Sequence, residues 1–362
     1  MARSSSVSAD SASWLRSLSP WPAQFGLERM QALLRLLGNP QRAFPSIHVV
    51  GTNGKSTATR AIAAYLRREG LSVGAYTSPH VSGWHERLDT DPESFWAAIA
   101  RVRPAAEAVS ATQFEALTAA ALAEFASRRV DVAVIEAGLG GRLDATNVLD
   151  APVVYLTNVG LDHAEVLGRT REAIAREKLA VARPGATVVL GEPEWAFLVS
   201  RCSTRPGGAR EAAEAFLGRS VSGQVEIFLP GRLDWRSSRE LWDGAHNPEG
   251  LDWLVAQLPR RDWVIVCSIL RDKDAPAMLE RLARVGCRLL ATSSSSPRAL
   301  PAWELAELAR GFFGHVERHE RPLAALARAR ELAGSVLVTG SLYLLADLYE
   351  AEGEGGWGGA SR

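Results

Sequence analysis

Five short apolar runs alternate with amphipathic stretches over the first half of the chain. PSIHVV, LSVGAYTS, VDVAVIEAG, PVVYLTNV and ATVVLG are rich in β-branched residues and are bounded by Gly, Pro, Asn or Ser, so they read as strands. TATRAIAAYLRREG, FEALTAAALAEFASRR and TREAIAREKLAVAR place apolar residues at helical spacing. Strand–helix alternation of this kind predicts an α/β fold with a mainly parallel sheet and crossover helices. After residue 240 the pattern restarts with DWVIVCSIL, CRLLATSSS and SVLVTGS, separated by further helical stretches.

Between these halves lies CSTRPGGAREAAEAFLGRSVSGQVEIFLPGRLDW, which is poor in strand signal. Pro230-Gly231 would interrupt any element and places a boundary near Leu229–Arg232. The expected organisation is a first domain over residues 1–229 and a second, Rossmann-like α/β domain over 230–350. Residues 1–10 and a Gly/Glu-rich tail at 351–362 are expected to be disordered.

Composition narrows the partners. The 362 residues carry 41 basic and 41 acidic side chains, a net charge of zero that favours neither nucleic acid nor an anionic membrane. No apolar run reaches the roughly 20 residues of a membrane span, and the start lacks a signal-peptide pattern. Cys202, Cys267 and Cys287 sit at no metal spacing; Cys267 and Cys287 lie in apolar, strand-like surroundings and read as buried thiols of a cytoplasmic protein. Of the 41 basic residues only Lys55, Lys178 and Lys273 are lysine. A lysine amine can lose its proton, which an arginine guanidinium does not.

The candidate chemistry begins at GTNGKST, residues 51–57, between the strand SIHVV and the helix that follows. The amides from Gly51 to Ser56 would converge on phosphate at a helix N-terminus. Lys55 would neutralise the outer phosphates, and Ser56 or Thr57 would face a magnesium ion. An ordinary strand-to-helix turn capped by Ser56 is the alternative. A second signal is VDVAVIEAGLGGRLDATN, where Glu136 ends an apolar strand beside a glycine-rich loop, as a magnesium ligand would. The third is TNVGLDHAEVLG. Its His163 reads more readily as a helix cap or core histidine than as a ligand, because magnesium prefers oxygen.

Taken in order, GTNGKST, YTSPH…ERL, FEALT, EAGLGGRLDATN, TNVGLDH, REK, PGRLD, DGAHNP, RDKD and TGSLY resemble the folylpolyglutamate synthase/dihydrofolate synthase family of the Mur ligase superfamily. The resemblance runs from about Trp14 to Tyr349. It implies an N-terminal P-loop-containing ATPase-type domain plus a C-terminal glutamate-ligase domain. The implied reaction is ATP-dependent addition of L-glutamate to a pterin carboxylate, of dihydropteroate or a reduced folate, through an acyl phosphate. ATP and two Mg2+ ions are the implied cofactors, and the expected state is a monomer. Another Mur-type amino-acid ligase, or a degenerate ATP-binding homologue, is the alternative.

Residue by residue, the resemblance implies nucleotide contacts from Gly51, Thr52, Asn53, Gly54, Lys55, Ser56 and Thr57, and from Arg232 and Asp243. Ser78, Glu136 and His163 would ligate metal, joined by Lys178 as a carbamate. Lys55, Lys178 and His246 would serve catalysis, whereas Phe114, Asp144 and Ser341 would meet the substrates. Lys273 gains no role. The chain departs from the family after GEPEWAFLV, where the usual HQxxNA segment is absent and REAAEAFLG follows almost directly. A shortened first domain is therefore expected.

Overall fold

Strands that are apolar on both faces can only sit between two layers of helices, and this requirement organises both halves of the computed structural model. It describes residues 2–22, 24–259, 262–332 and 334–353. The chain divides into two units. Unit 1 comprises residues 1–80 and 84–227; unit 2 comprises 81–83 and everything from Phe228 onward.

Unit 1 opens with α1 (Ala2–Ser17) and α2 (Glu28–Leu36). Then come β1 (Ser46–Val50), α3 (Lys55–Arg68), β2 (Val73–Tyr76), α4 (Pro92–Ala108), α5 (Gln113–Ser127), β3 (Val132–Glu136) and β4 (Val153–Leu156). It closes with α6 (Ala164–Leu167), α7 (Arg171–Leu179), β5 (Thr187–Leu190), β6 (Ser203–Pro206) and α8 (Ala209–Leu217). The sheet runs β2-β3-β1-β4-β5-β6, parallel throughout. All five residues of β1 are buried, as are those of β3. Because β1 lies between β3 and β4, the loop leaving it opens where the crossovers diverge, the usual place for a ligand in such sheets.

Two features of unit 1 stand beside the expectations from the sequence. Residues 2–10, expected to be disordered, are the helical start of α1. That helix is held by buried Leu15 and Trp14, and by Arg103 of α4, which pairs with Asp10 at 2.5 Å. The segment read as poor in strands supplies β6, and α8 buries Ala212 and Ala213 against Ile62 and Leu66 of α3. The sheet therefore keeps six strands, with the REAAEAFLG helix covering its β4–β5 region.

Unit 2 contains β7 (Asp234–Ser237), β8 (Glu240–Trp242), α9 (Pro248–Gln257), β9 (Trp263–Cys267), α10 (Ala275–Leu282) and β10 (Arg288–Ala291). It continues with α11 (Ala302–Ala309), β11 (His315–Arg318), α12 (Pro322–Glu331), β12 (Ser335–Thr339) and α13 (Leu342–Ala351). Its sheet runs β11-β10-β9-β12-β8-β7, with β7 alone antiparallel to its neighbour. Trp263, Ile265, Leu289 and Leu337 fill one face of this sheet, and Trp242, Val266, Leu290 and Val338 the other. Cys267 is buried as expected, but Cys287 is exposed, because it precedes β10 rather than lying within it. Of the tail expected at 351–362, residues 354–362 lie outside the described residues, while Ala351 ends α13.

Candidate active site

The phosphate-type loop is built by backbone that leaves β1 and turns at once into α3. Gly51 (φ 151°) packs so tightly on β4's exit that a Cβ there would lie 1.8 Å from Thr157 Oγ1. Gly54 caps α3 at φ 77°, a left-handed conformation that costs glycine nothing. The loop is tied to the TNV segment: the Thr52 amide donates to the Asn158 carbonyl at 3.0 Å, and the Asn53 amide to Asn158 Oδ1 at 2.8 Å. Thr157 Oγ1 in turn donates to the Asn53 carbonyl at 2.7 Å. Two of the six amides expected to face phosphate thus serve the loop itself. The anion-facing role narrows toward the first turn of α3, where helix amides lack intrahelical partners.

Around that turn the structure gathers most of the predicted charged residues of unit 1. Lys55 sits at the first position of α3, and its Nζ donates to the Thr52 carbonyl at 3.0 Å. Ser56 Oγ donates to Glu136 Oε1 at 3.1 Å, whereas Thr57 is exposed, which decides between the two candidate hydroxyls. The Ser78 amide donates to the other Glu136 oxygen at 3.0 Å. Glu136 is 1% exposed at the end of β3, so its carboxylate joins the two loops from inside.

Lys178 closes the floor. α7 carries it into the interior, and its Nζ donates to the Gly51 carbonyl at 2.7 Å. Burial, helped by the like charge of Lys55, pushes its pKa down to about 7. The glycine loop must pass close by: a Cβ on Gly141 would lie 2.5 Å from the Lys178 carbonyl. His163 is exposed, adopts φ 54°, and its Nε2 lies 3.9 Å from Asp162 Oδ1.

Among the described residues no three His, Cys, Asp or Glu side chains form a metal-holding cluster. The expected metal set depends instead on Glu136, on hydroxyls and on a modified lysine. The oxygen donors Ser56 and Glu136, 3.1 Å apart and largely shielded from water, suit a hard cation such as Mg2+.

The predicted substrate residues of unit 1 differ in character. Phe114, near the start of α5, presses its ring over Gly138, where a Cβ would lie 2.5 Å from the ring edge. Its ring lies 6.2 Å from that of Tyr76 and 6.3 Å from that of Trp21, an exposed indole that the sequence did not single out. Thr112 and Glu115 form a capping box that fixes this helix start, and Arg29 bonds Glu115 at 2.7 Å. Asp144 is buried, and its carboxylate accepts from the amides of Leu139 (2.8 Å) and Thr146 (3.0 Å) and from the Thr146 hydroxyl. Burial raises its pKa. His48 reaches Thr146 Oγ1 at 2.8 Å and is held neutral, its pKa lowered to about 3 by burial. In this structure Asp144 shapes the glycine loop from within.

Unit 2 assembles its own constellation. Asp243, 3% exposed, accepts from the Leu233 amide at 2.8 Å and the Ala245 amide at 2.9 Å, and burial raises its pKa against the pull of Arg232. His246 Nδ1 lies 2.8 Å from the Gly244 carbonyl. Ser341 caps α13 by accepting from the Tyr343 amide. The Gly340 amide donates to the Ala245 carbonyl at 3.0 Å, so the DGAHNP and TGS loops lie side by side.

Comparison with known proteins agrees with this architecture. The Mur ligase middle domain matches residues 49–184, and the Mur ligase glutamate ligase domain matches 231–342. Folylpolyglutamate synthase of Lacticaseibacillus casei is 32% identical over 402 residues, 87% of this chain and 92% of that protein. The structure of E. coli FolC in complex with DHPP and ADP superimposes with a TM-score of 0.86 at 29% identity, covering 96% of this chain and 97% of that one. A bifunctional folylpolyglutamate synthase/dihydrofolate synthase with Mn, AMPPNP and L-glutamate bound gives 0.82 at 28% identity, over 95% and 98% of the two chains. The chain belongs to the folylpolyglutamate synthase/dihydrofolate synthase family of Mur ligases.

Proposed function

We propose that this protein is an ATP-dependent ligase that joins L-glutamate to the carboxylate of dihydropteroate or of a reduced folate, releasing ADP and phosphate. The observation that carries the reading is the cluster of Lys55, Ser56, Glu136 and Lys178 around one glycine-shaped loop at the centre of a parallel sheet. The relatives with ADP and DHPP, or with Mn, AMPPNP and L-glutamate, support the same substrates and a divalent cation here.

Each residue has a task that follows from its surroundings. The first turn of α3 and Lys55 hold the phosphates and draw off their charge. Ser56, Glu136 and Ser78 would hold Mg2+, with His163 reaching in from the α6 loop; the ion supplies positive charge to the phosphoryl group in transit. Lys178, with its pKa near neutrality, presents free amine at physiological pH. That amine forms an N–C bond to carbon dioxide and releases a proton, giving a carbamate oxygen for a second metal ion. Phe114, whose ring lies near those of Tyr76 and Trp21, offers a face for a flat heteroaromatic ring. In unit 2 we assign Arg232 and Asp243 to the nucleotide, and His246 and Ser341 to the phosphate and amino-acid ends of the reaction. The three free cysteines suit a reducing, cytoplasmic setting, and we expect a monomer.

Incubation with ATP, L-glutamate and either dihydropteroate or tetrahydrofolate, side by side, tests the substrate assignment. A product heavier by one glutamyl residue from at least one pterin supports it. No glutamylated product from either would refute it.

A further inference from the structure

The Ser78 loop raises a mechanical question. After Tyr76 the chain leaves the sheet, and a few residues of irregular backbone must present the Ser78 amide to Glu136 at 3.0 Å. Something must hold that backbone at a fixed height above the sheet. The interior beneath it contains two polar side chains that no step above employs, His80 and Arg87, 2% and 8% exposed.

Arg87 Nε donates to His80 Nδ1 at 2.8 Å. The His80 ring lies against Trp84, 4.4 Å between centroids, and the Arg87 guanidinium lies 5.6 Å from the same indole. Arg87 is tied in through its backbone as well. Its backbone carbonyl accepts from the Thr77 amide at 2.9 Å, and the Glu86 carbonyl accepts from Thr77 Oγ1 at 3.3 Å. Thr77 and His80, on either side of Ser78, are thus both tied to the short turn Trp84–Leu88.

Among the described residues no carboxylate pairs with Arg87, so this buried guanidinium is not held as half of an ion pair. Burying a cation among neutral acceptors and rings costs free energy that an apolar side chain of similar volume would avoid. What the guanidinium supplies, and an apolar residue would not, is direction: its Nε–H fixes the His80 ring. A donor on Arg87 requires an unprotonated Nδ1 on His80, so the pair specifies one ring tautomer and one orientation.

We propose that His80 and Arg87 are positioning residues whose buried hydrogen bond holds Ser78 against Glu136 and so sets the geometry of the divalent-cation edge. Neither touches substrate. The inference rests on the reading of Ser78 and Glu136 as that edge, and its test separates the two.

The full-length protein is compared with Ser78→Ala, His80→Ala, His80→Asn and Arg87→Met. Mn2+ binding in the presence of ADP is measured from the electron paramagnetic resonance signal of the free ion, alongside ADP affinity without metal. Ser78→Ala should weaken Mn2+ binding and so establish the edge. His80→Ala and Arg87→Met should each weaken it by about tenfold, as loss of an outer partner does, with metal-free ADP affinity unchanged. His80→Asn keeps an acceptor near the Nδ1 position and should recover most of the loss. Normal Mn2+ binding by Arg87→Met beside a weakened Ser78→Ala would overturn the proposal and leave the site intact. Equal impairment of His80→Asn and His80→Ala would also overturn it. Normal binding by Ser78→Ala would remove the edge itself, and the proposal with it. Should His80→Ala fail to give a cooperative thermal transition, the asparagine and methionine variants still decide.

Discussion

The two sheets are built alike at their centres and differ at the ends of their strands. In unit 1 the C-terminal ends gather buried charge: Glu136, Lys178 and Asp144 are each at most 5% exposed, and Lys55 lies beside them. In unit 2 the same region of the sheet is lined by hydroxyls. Ser268, Thr292, Ser294, Thr339 and Ser341 are all buried, beside the buried acids Asp243 and Asp234. Buried charge is costly without a counter-charge, and a fold keeps it where a charged ligand completes the arrangement. Hydroxyls are nearly neutral passengers that can orient a ligand by hydrogen bonding but cannot neutralise it. On the proposed assignments, unit 1 is the half that carries most of the charge used in phosphate chemistry. Lesions of the same size should hurt function more in the first.

The largest effect is expected at Lys55. Lys55→Ala should lower the rate of phosphate release by at least about 10²–10³-fold, the range seen when one charge-stabilising donor is removed. The thermal midpoint should move far less than turnover, because Lys55 is only partly buried at the start of α3. Unchanged turnover would break the comparison at its strongest point.

Gly51→Ala comes next. The new Cβ would meet Thr157 Oγ1 at 1.8 Å, and the backbone there has φ 151°, so the loop must shift. A loss of about 2–3 kcal/mol in chemical denaturation is expected from the strain and overpacking. ATP affinity should fall with it.

How far the sequence revealed this site can be judged from particular residues. GTNGKST and Glu136 are legible because each is polar sequence at the edge of an apolar run, a local signal, whereas the role of Lys178 came from the resemblance alone. Asn158 is not legible, although it anchors the loop, because its partner lies 105 residues away and only the β1–β4 pairing brings them together. His80 and Arg87 are only seven residues apart, but no spacing rule marks their bond, nor the inward-facing bonds of Asp144. Among the strands, the buried ones β1 to β5, β9, β10 and β12 were plain from their apolar runs. β6 (STRP) and β11 (HVER) are edge strands with largely exposed side chains, so their pattern carries no hydrophobic signature. Cys287 misled for a related reason: its apolar neighbours belong to β10, which it only precedes.

Lys178 sharpens the comparison through pH. In the metal- and nucleotide-free protein its pKa is near 7, against 10.5 in an unfolded chain. Below pH 7 the folded state must hold a buried ammonium, and the full cost is present. Between pH 7 and about 10 the unfolded chain binds the extra proton, so this residue's contribution to stability improves as pH rises. Lys178→Met should therefore be more stable than the parent at pH 6, by the order of 2 kcal/mol once the lost bond to Gly51 is counted. The gap should shrink toward pH 10 while ligase activity is absent throughout. A gap that widens with pH would contradict the buried-amine description.

The smallest effect belongs to unit 2. Thr292 Oγ1 is buried without a hydrogen-bond partner among the described residues. Thr292→Val removes an unsatisfied hydroxyl at almost constant volume and should leave stability unchanged or raise it by up to about 1 kcal/mol. A clear loss of stability would show that this hydroxyl is satisfied in solution.

On the proposed reading, the charged strand ends of unit 1 serve a ligation and not mere nucleotide holding. Phosphate release from ATP, followed with each substrate omitted in turn, tests it most directly. Release is expected only when ATP, a pterin carboxylate and L-glutamate are all present, with one phosphate per glutamyl bond. ATP binding without substrate-dependent release would contradict it.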